Sequence, residues 1–125
     1  MFPIITLERT TCYGTCPSYL FKAYPDGTVT YTGKEFTKLV GDFKSTISKE
    51  VLANLKLLFD EADYFSFANV YSANIIDLPT TYIYYDSGKR NAKITDYYGA
   101  PASLKKLEDD IDTFINGINW QKINQ

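Results

Sequence analysis

Residues 18–32 of this 125-residue chain read SYLFKAYPDGTVTYT, two alternating runs joined by Pro25-Asp26-Gly27. A period of two is typical of a strand that buries one face. Proline, aspartate and glycine are the residues that tight turns favour. The stretch therefore predicts a β-hairpin, and this hairpin sets the class of the fold.

The chain on either side of the hairpin repeats the same pattern. Residues 4–9 alternate and predict a strand that precedes it. A second hairpin is predicted from residues 81–85 and 92–98, because the turn residues Asp86-Ser87-Gly88-Lys89 separate them. Most of the predicted strands are therefore joined by short turns, which favours antiparallel pairing.

Two segments have the period of an amphipathic helix. Apolar residues recur at helical spacing over residues 51–62, after Ser48 as a plausible N-cap. They recur again over residues 104–118, and Pro101 can begin that helix. The order strands, helix, strands, helix predicts an α+β fold, a largely antiparallel sheet built from hairpins with two helices packed on one face. The length predicts a single domain over residues 1–125.

Two further segments are less regular. Residues 34–40, between Gly33 and Gly41, predict a short additional strand. Residues 64–79 show no periodicity and are rich in aromatic residues, so a long irregular loop is expected there. Long ordered loops in compact domains are usually functional, which makes this loop a candidate binding surface.

The composition excludes several classes of protein. There is no histidine, so Ser-His-Asp and Cys-His catalysis and every histidine-ligated metal site are excluded. The net charge of −2 argues against a nucleic-acid partner, which would favour a basic surface. No apolar run approaches the ~20 residues of a transmembrane helix, so no transmembrane segment is expected.

The two cysteines, Cys12 and Cys16, lie four residues apart. Gly14 disfavours a helix between them, and Pro17 favours an extended Cys16, so a tight loop closed by a disulfide is the preferred interpretation. A ring of this size contributes only about 2 kcal/mol in the chain-entropy model. The alternatives are a redox-active pair and half of a metal site; no metal and no cofactor are predicted.

Without histidine, carboxylates are the remaining acid–base candidates. The acidic residues of the second helix are expected on its water-exposed face, opposite the apolar stripe. They are Glu108, Asp109, Asp110 and Asp112. Asp77 lies in the aromatic loop before Leu78-Pro79, where it can cap a turn or face a ligand. No residue is assigned a catalytic role.

Tyrosines supply the remaining candidates for ligand binding. In the second hairpin, alternation places Tyr82 and Tyr84 on the face opposite Ile83 and Tyr85. Exposed tyrosine is common at interaction surfaces because it combines apolar area with a polar tip. The predicted ligand-binding residues are Tyr64, Phe67, Tyr71, Asp77, Thr80, Tyr82 and Tyr84.

Several motifs together resemble a family of uncharacterised bacterial domains of unknown function. They are Cys12-Tyr13-Gly14-Thr15-Cys16-Pro17-Ser18-Tyr19, Asp26-Gly27-Thr28-Val29-Thr30-Tyr31-Thr32-Gly33, Asp77-Leu78-Pro79-Thr80 and Gly99-Ala100-Pro101. The resemblance runs from about Ile4 to Trp120. It implies a small domain that is often exported behind a signal or lipoprotein leader, and it carries no activity or catalytic residue.

The sequence favours a non-enzymatic, extracytoplasmic domain that binds a protein, peptide or cell-envelope ligand. Its start, Met1 to Ile5, lacks the basic and apolar regions of a signal peptide. The expected location is therefore the periplasm or cell surface if a leader was removed, and the cytoplasm otherwise. The alternatives are a thiol-based redox or metal-handling protein that uses Cys12 and Cys16, and a carboxylate-dependent hydrolase that uses Asp77.

Overall fold

The computed structural model describes residues 1–123, which form an eight-stranded sheet with two helices. The strands are β1 (Ile5–Arg9), β2 (Ser18–Ala23), β3 (Thr28–Glu35), β4 (Gly41–Thr46), β5 (Val70–Tyr71), β6 (Thr81–Asp86), β7 (Asn91–Asp96) and β8 (Gln121–Lys122). The helices are α1 (Lys49–Glu61) and α2 (Ala102–Asn116). The strand order is β5-β7-β6-β1-β2-β3-β4-β8, and only β5 and β7 pair in parallel. The predicted α+β class is confirmed.

The first hairpin has the predicted form. Strands β2 and β3 pair antiparallel, with Phe21 opposite Tyr31. In the turn, the backbone N–H of Thr28 donates to Asp26 Oδ1 over 2.9 Å. Gly27 has φ +92°, and a Cβ there would collide with the Ile47 carbonyl. The turn therefore requires glycine for two reasons, its backbone conformation and its packing.

Strand β1 joins the two hairpins into one sheet. It pairs antiparallel with β2 on one side and with β6 on the other. Alternate side chains of these strands point toward the helices, and Leu7, Phe21 and Ile83 are fully buried there. Both helices contribute to the same core, through residues such as Leu55 and Ile111. The core thus lies between one face of the sheet and the helices.

The predicted N-cap of the first helix is confirmed. Ser48 accepts a hydrogen bond from the backbone N–H of Val51 over 3.1 Å through its Oγ. Such a bond satisfies one of the N–H groups that the first turn leaves without an intrahelical partner. Pro101 takes the N-cap position of α2 rather than its first helical position. No helix within residues 1–123 is long and apolar enough to cross a membrane.

The prediction of a separate strand over residues 34–40 is wrong. Strand β3 continues to Glu35, and the chain pairs again only from Gly41. Between them Phe36 adopts a left-handed conformation with φ +55°, which ends strand geometry. Strand β4 was missed because only Phe43 of its six residues is a large apolar side chain, so its alternation is weak.

The irregular segment 64–79 contains more structure than its pattern predicted. It begins with a 3₁₀ turn at Tyr64–Ser66, and β5 adds two residues to the sheet edge. Backbone hydrogen bonds from Thr95 to Asn69 and from Tyr97 to Tyr71 fix this segment along β7. The loop is therefore anchored to the sheet over its first half.

Candidate functional site

A row of polar side chains crosses four strands where an apolar core would be expected to continue. Arg9 on β1 lies opposite Tyr19 on β2 and opposite Thr81 on β6. Thr81 in turn lies opposite Asp96 on β7. We call Arg9, Tyr19, Thr81 and Asp96 the polar row. Tyr19, Thr81 and Asp96 are all less than a tenth exposed, so their polar atoms depend on partners from the protein.

Helix α2 supplies these partners from one of its faces. Arg9 Nη2 lies 2.7 Å from Asp112 Oδ2, and Arg9 Nη1 donates to Thr81 Oγ1 over 3.2 Å. The Tyr19 hydroxyl also donates to Asp112. Burial raises the pKa of the Asp112 carboxyl, while the nearby Arg9 guanidinium acts in the opposite direction. Asp112 is thus a partly buried acid that two side chains of the sheet hold in place.

The prediction that this acidic run faces water is therefore wrong for two of its four members. Glu108 is buried, and Asp112 is bound by Arg9. Asp109 is exposed, and Asp110 is partly exposed and pairs with Lys106 on the outer side of the helix. The apolar stripe predicts which helix face packs on the sheet. It does not predict that charged residues flanking the stripe also pack when the strands present polar residues opposite them.

A pair of buried carboxyl groups lies at the β7 end of the polar row. Asp96 and Glu108 are each 1% exposed. Among the described residues, neither oxygen of Asp96 has a hydrogen-bond partner, and nor does Glu108 Oε2. Lys105 Nζ lies 2.8 Å from Asp96 Oδ2 and 3.9 Å from Glu108 Oε1. Burial raises the pKa of Glu108 to about 8, and the adjacent Asp96 adds to the rise.

At the β2 end, the polar row opens into a groove of about 700 Å³ between α2 and the β3–β4 connection. We call it the aromatic groove. Tyr19 and Tyr31 stack with ring centroids 5.5 Å apart, and the Trp120 ring lies 5.5 Å from Tyr31. Trp120 Nε1 donates to the Ile115 carbonyl over 3.1 Å. Phe36, Thr37, Lys38 and Leu39 line one side, while Asp109, Asp112, Ile115, Asn116 and Ile118 line the other.

The side of the groove formed by the β3–β4 connection has a defined backbone. Gly33 lies directly under the Leu39 carbonyl, and a Cβ at that position would collide with it. Thr37 Oγ1 donates to the same carbonyl over 2.7 Å. Leu39 and Phe36 are 37% and 55% exposed. The fold thus holds large apolar side chains at the rim of the groove in contact with water.

The two cysteines form the predicted disulfide, with Cα atoms 5.6 Å apart. Pro17 follows directly and lines the aromatic groove, so the disulfide loop adjoins the site. Tyr13, within the loop, is 88% exposed. Residues 1–123 contain no group of three or more metal-ligating side chains placed to hold a metal ion.

The predicted ligand-binding residues do not come together in one place. Tyr64 is 2% exposed, and its hydroxyl lies 3.0 Å from the Ile83 carbonyl and 2.9 Å from the Ala92 carbonyl. Phe67 and Tyr71 pack against the edge of the same core. These three residues are therefore at least partly structural.

The other predicted residues lie elsewhere. Tyr82 and Tyr84 lie on the sheet face away from the core, as alternation predicted, and Lys93 lies over the Tyr82 ring. Asp77 is exposed in a left-handed conformation with φ +66°. Thr80 is joined to Thr10 by backbone and side-chain hydrogen bonds. Their role in binding stays a prediction.

The groove residues were not predicted as a site, although part of the signal was present. Tyr19 and Tyr31 lie in the alternating runs of the first predicted hairpin, and the alternation alone does not mark them as binding residues. Arg9, however, follows Ile5 and Leu7 at the same alternation. A charged residue on the apolar face of a strand requires a partner, and this is the signal that points to the polar row.

The chain belongs to the protein family described as "Domain of unknown function (DUF6438)", whose model matches residues 3–115. The resemblance to a family of uncharacterised domains is thus confirmed. No curated protein matches the chain. The matched segment includes the polar row and the groove residues up to Ile115, whereas Asn116, Ile118 and Trp120 lie beyond it.

Proposed function

We propose that this member of the family is a non-enzymatic, extracytoplasmic binding domain that holds a polypeptide segment of a partner protein in the aromatic groove. The observation that carries the proposal is the groove itself, a volume of about 700 Å³ over the rings of Tyr19, Tyr31 and Trp120. Ligand sites are typically concave, about 300–1,000 Å³, with aromatic lining and a few fixed polar groups. The groove has each of these properties.

The exposed rim favours a protein partner over a small molecule. Phe36, Leu39 and Val40 are 55%, 37% and 57% exposed within one five-residue connection. Contiguous exposed apolar residues commonly mark interaction surfaces. A small ligand inside the groove would leave Val40 in water, whereas a polypeptide crossing the rim would cover it. We therefore expect an aromatic or aliphatic side chain of the partner to enter the groove.

The polar groups of the groove support binding rather than catalysis. Arg9, Tyr19 and Asp112 bind one another, so their donors and acceptors are already used in the folded protein. A catalytic acid or nucleophile needs a position from which it reaches substrate. This triad instead fixes the end wall of the groove, and such preorganisation lowers the entropy lost when a ligand binds.

The disulfide supports an extracytoplasmic location. Cys12 and Cys16 are joined, and disulfides form and persist mainly in oxidising compartments. The bridge closes the loop that leads into Pro17, which lines the groove. It therefore shapes one end of the proposed site. This structural role explains why the two cysteines are present without assigning them a redox activity.

The test uses a phage-displayed library of random peptides, panned on the oxidised protein. Trp120 is the chain's only tryptophan, so its fluorescence reports directly on groove occupancy. For the selected peptides, we expect Phe36→Ser to raise Kd about tenfold or more, as loss of a central apolar contact does. Ile76→Ser is the matched control, because Ile76 is 80% exposed in the loop that follows β5, and it should leave Kd unchanged.

Two outcomes contradict the proposal. If Ile76→Ser or Tyr82→Ser weakens binding of the selected peptides while Phe36→Ser does not, the ligand binds beside the predicted residue Asp77 or at the predicted residue Tyr82, and not in the aromatic groove. If peptides are captured only by the reduced protein, through mixed disulfides with Cys12 or Cys16, the protein acts through its thiols.

A further inference from the structure

The contact between Lys105 and Asp96 differs from an ordinary surface ion pair. Nζ of Lys105 lies 2.8 Å from Asp96 Oδ2, yet the Asp96 side chain is 0% exposed while that of Lys105 is 52% exposed. The lysine side chain thus reaches from solvent to a fully buried carboxyl group. Its amine lies at the same time 3.9 Å from Glu108 Oε1. An amine and two carboxyl groups therefore meet at one point between β7 and α2.

The carboxyl groups at this point are poorly satisfied. Asp96 makes no hydrogen bond through either oxygen within the described residues, and Glu108 Oε2 makes none. A buried charge without good hydrogen bonds is costly, and a buried ion pair recovers that cost only with favourable geometry. A reaction that removes the charges of the Lys105 ammonium and the Asp96 carboxylate would relieve this cost.

We propose that Lys105 and Asp96 condense to an intramolecular isopeptide bond, with Glu108 as the catalytic residue that moves the proton. This chemistry has three requirements. An amine must lie within contact distance of a carboxyl group, a second carboxyl group must lie beside both, and water must be excluded from the carboxyl group that is attacked. The geometry at Lys105, Asp96 and Glu108 provides all three.

The Lys105 ammonium passes a proton to the Asp96 carboxylate, which leaves a free amine and a carboxylic acid. The amine lone pair attacks Cγ of Asp96. Glu108 donates its proton to the departing hydroxyl, which leaves as water, and accepts the proton that Nζ loses. One Nζ–Cγ bond forms, one Cγ–O bond breaks, and no electrons are transferred to or from another molecule.

The protonation of Glu108 suits this role. Burial, reinforced by Asp96, raises the pKa of Glu108 to about 8, whereas Lys105 and Arg9 act to lower it. Glu108 therefore holds a proton at neutral pH and can exchange it near that pH, which is the property of an efficient general acid–base group.

Proximity lowers the barrier to amide formation, which is very slow between separate molecules in water. Groups held in reactive contact reach effective molarities of about 10⁵–10⁸ M. The water that is released leaves a site in which Asp96 is 1% exposed, so hydrolysis of the product is hindered. The bond would join the end of β7 to the first turns of α2, and so anchor the helix that forms one wall of the aromatic groove.

The test is the intact mass of the folded, oxidised wild-type protein. We expect a mass lower by one water than the sequence with one disulfide requires. Lys105→Arg and Glu108→Gln should both restore the full mass, because the first removes the nucleophile and the second the proton carrier. Glu108→Gln keeps the shape of the protonated side chain, and the half-exposed Lys105→Arg provides a second variant if the first does not fold. Lys106→Arg is the matched control and should retain the loss of water.

A succinimide elsewhere in the chain would give the same loss of one water and must be distinguished from the isopeptide bond. Asp26 is exposed in the turn and precedes Gly27, and an aspartate–glycine pair can cyclise to a succinimide. Peptide mapping should find a branched peptide that joins the segments of Asp96 and Lys105, and it should resist hydroxylamine, which cleaves a succinimide. A wild-type protein of full mass, or a loss of water that maps to Asp26, overturns the proposal.

Discussion

The aromatic groove and residues 64–80, which we call the aromatic loop, contain similar side chains in different surroundings. In the aromatic loop, Tyr64 is 2% exposed and packs against Phe59 and Tyr85 at centroid distances of 5.3 and 5.8 Å. In the aromatic groove, Tyr31 is 7% exposed and Trp120 is partly exposed, yet both rings line an open volume of about 700 Å³. Aromatic content alone therefore does not indicate a binding surface.

The difference arises from where each segment finds hydrogen-bond partners. The Tyr64 hydroxyl shares its hydrogen between two strand carbonyls, so the whole side chain can leave water without an unsatisfied polar atom. In the groove, the polar atoms of the rings bond to helix α2 and the segment after it. The Trp120 indole donates a hydrogen bond to the Ile115 carbonyl, and the Tyr19 hydroxyl donates one to Asp112. Only the small part of these rings that remains exposed can contact a ligand in the groove.

The largest expected effect concerns the aromatic loop. Tyr64→Ala should lower the free energy of unfolding by about 3–5 kcal/mol, since a large buried aromatic side chain is removed. Tyr64→Phe should cost only about 1 kcal/mol, the net contribution of one hydrogen bond. Chemical denaturation measures both. If Tyr64→Ala is as stable as wild type, the aromatic loop is not structural and the contrast with the groove is lost.

Much of the fold follows from local patterns. The hairpin at residues 18–32, the N-cap at Ser48 and the apolar stripes of both helices depend on neighbouring residues in the sequence, so they could be predicted. Strand β4 could not, because it is stabilised by pairing with β3 rather than by its own alternation. Its single large apolar residue, Phe43, gives too short a signal.

The candidate site could be predicted only in part. The disulfide follows from the spacing of Cys12 and Cys16 and from the residues between and after them. The polar row depends on the registers of four strands, which bring Arg9 opposite Thr81 and Thr81 opposite Asp96. Register between distant strands is a tertiary property, so the partners of Glu108 and Asp112 were not visible in the sequence.

A smaller effect is expected at the rim of the groove. Gly33→Ala places a Cβ against the Leu39 carbonyl, so the β3–β4 connection must move. We expect a loss of stability of about 1–3 kcal/mol, as overpacking typically gives, together with loss of peptide binding. Gly117→Ala is the matched control, since its Cβ would lie 3.6 Å from the Phe114 carbonyl, an ordinary contact. Unchanged binding by Gly33→Ala would show that the rim does not shape the site.

The smallest effect separates the two regions by their response to alkali. Burial, and then the hydrogen bond to Asp60, raise the pKa of Tyr85 from 10.0 to about 12. The folded protein therefore keeps a proton that the unfolded chain loses above pH 10. The stability that this proton contributes is complete below pH 10 and is lost as the pH rises toward 12. Tyr85→Phe should cost about 1 kcal/mol at neutral pH, where it removes one hydrogen bond.

Because phenylalanine does not titrate, the variant should lose less stability than wild type between pH 10 and 12, measured by urea denaturation across that range. Tyr31→Phe tests the groove in the same way. Burial raises the pKa of Tyr31 too, but the Thr37 side chain beside it acts to lower it. If the free energy of unfolding falls more steeply above pH 10 in wild type than in Tyr85→Phe, the buried, protonated Tyr85 hydroxyl contributes to the stability of the core under the aromatic loop. Parallel curves for wild type and Tyr85→Phe would mean that ionisation of Tyr85 does not contribute to the alkaline loss of stability.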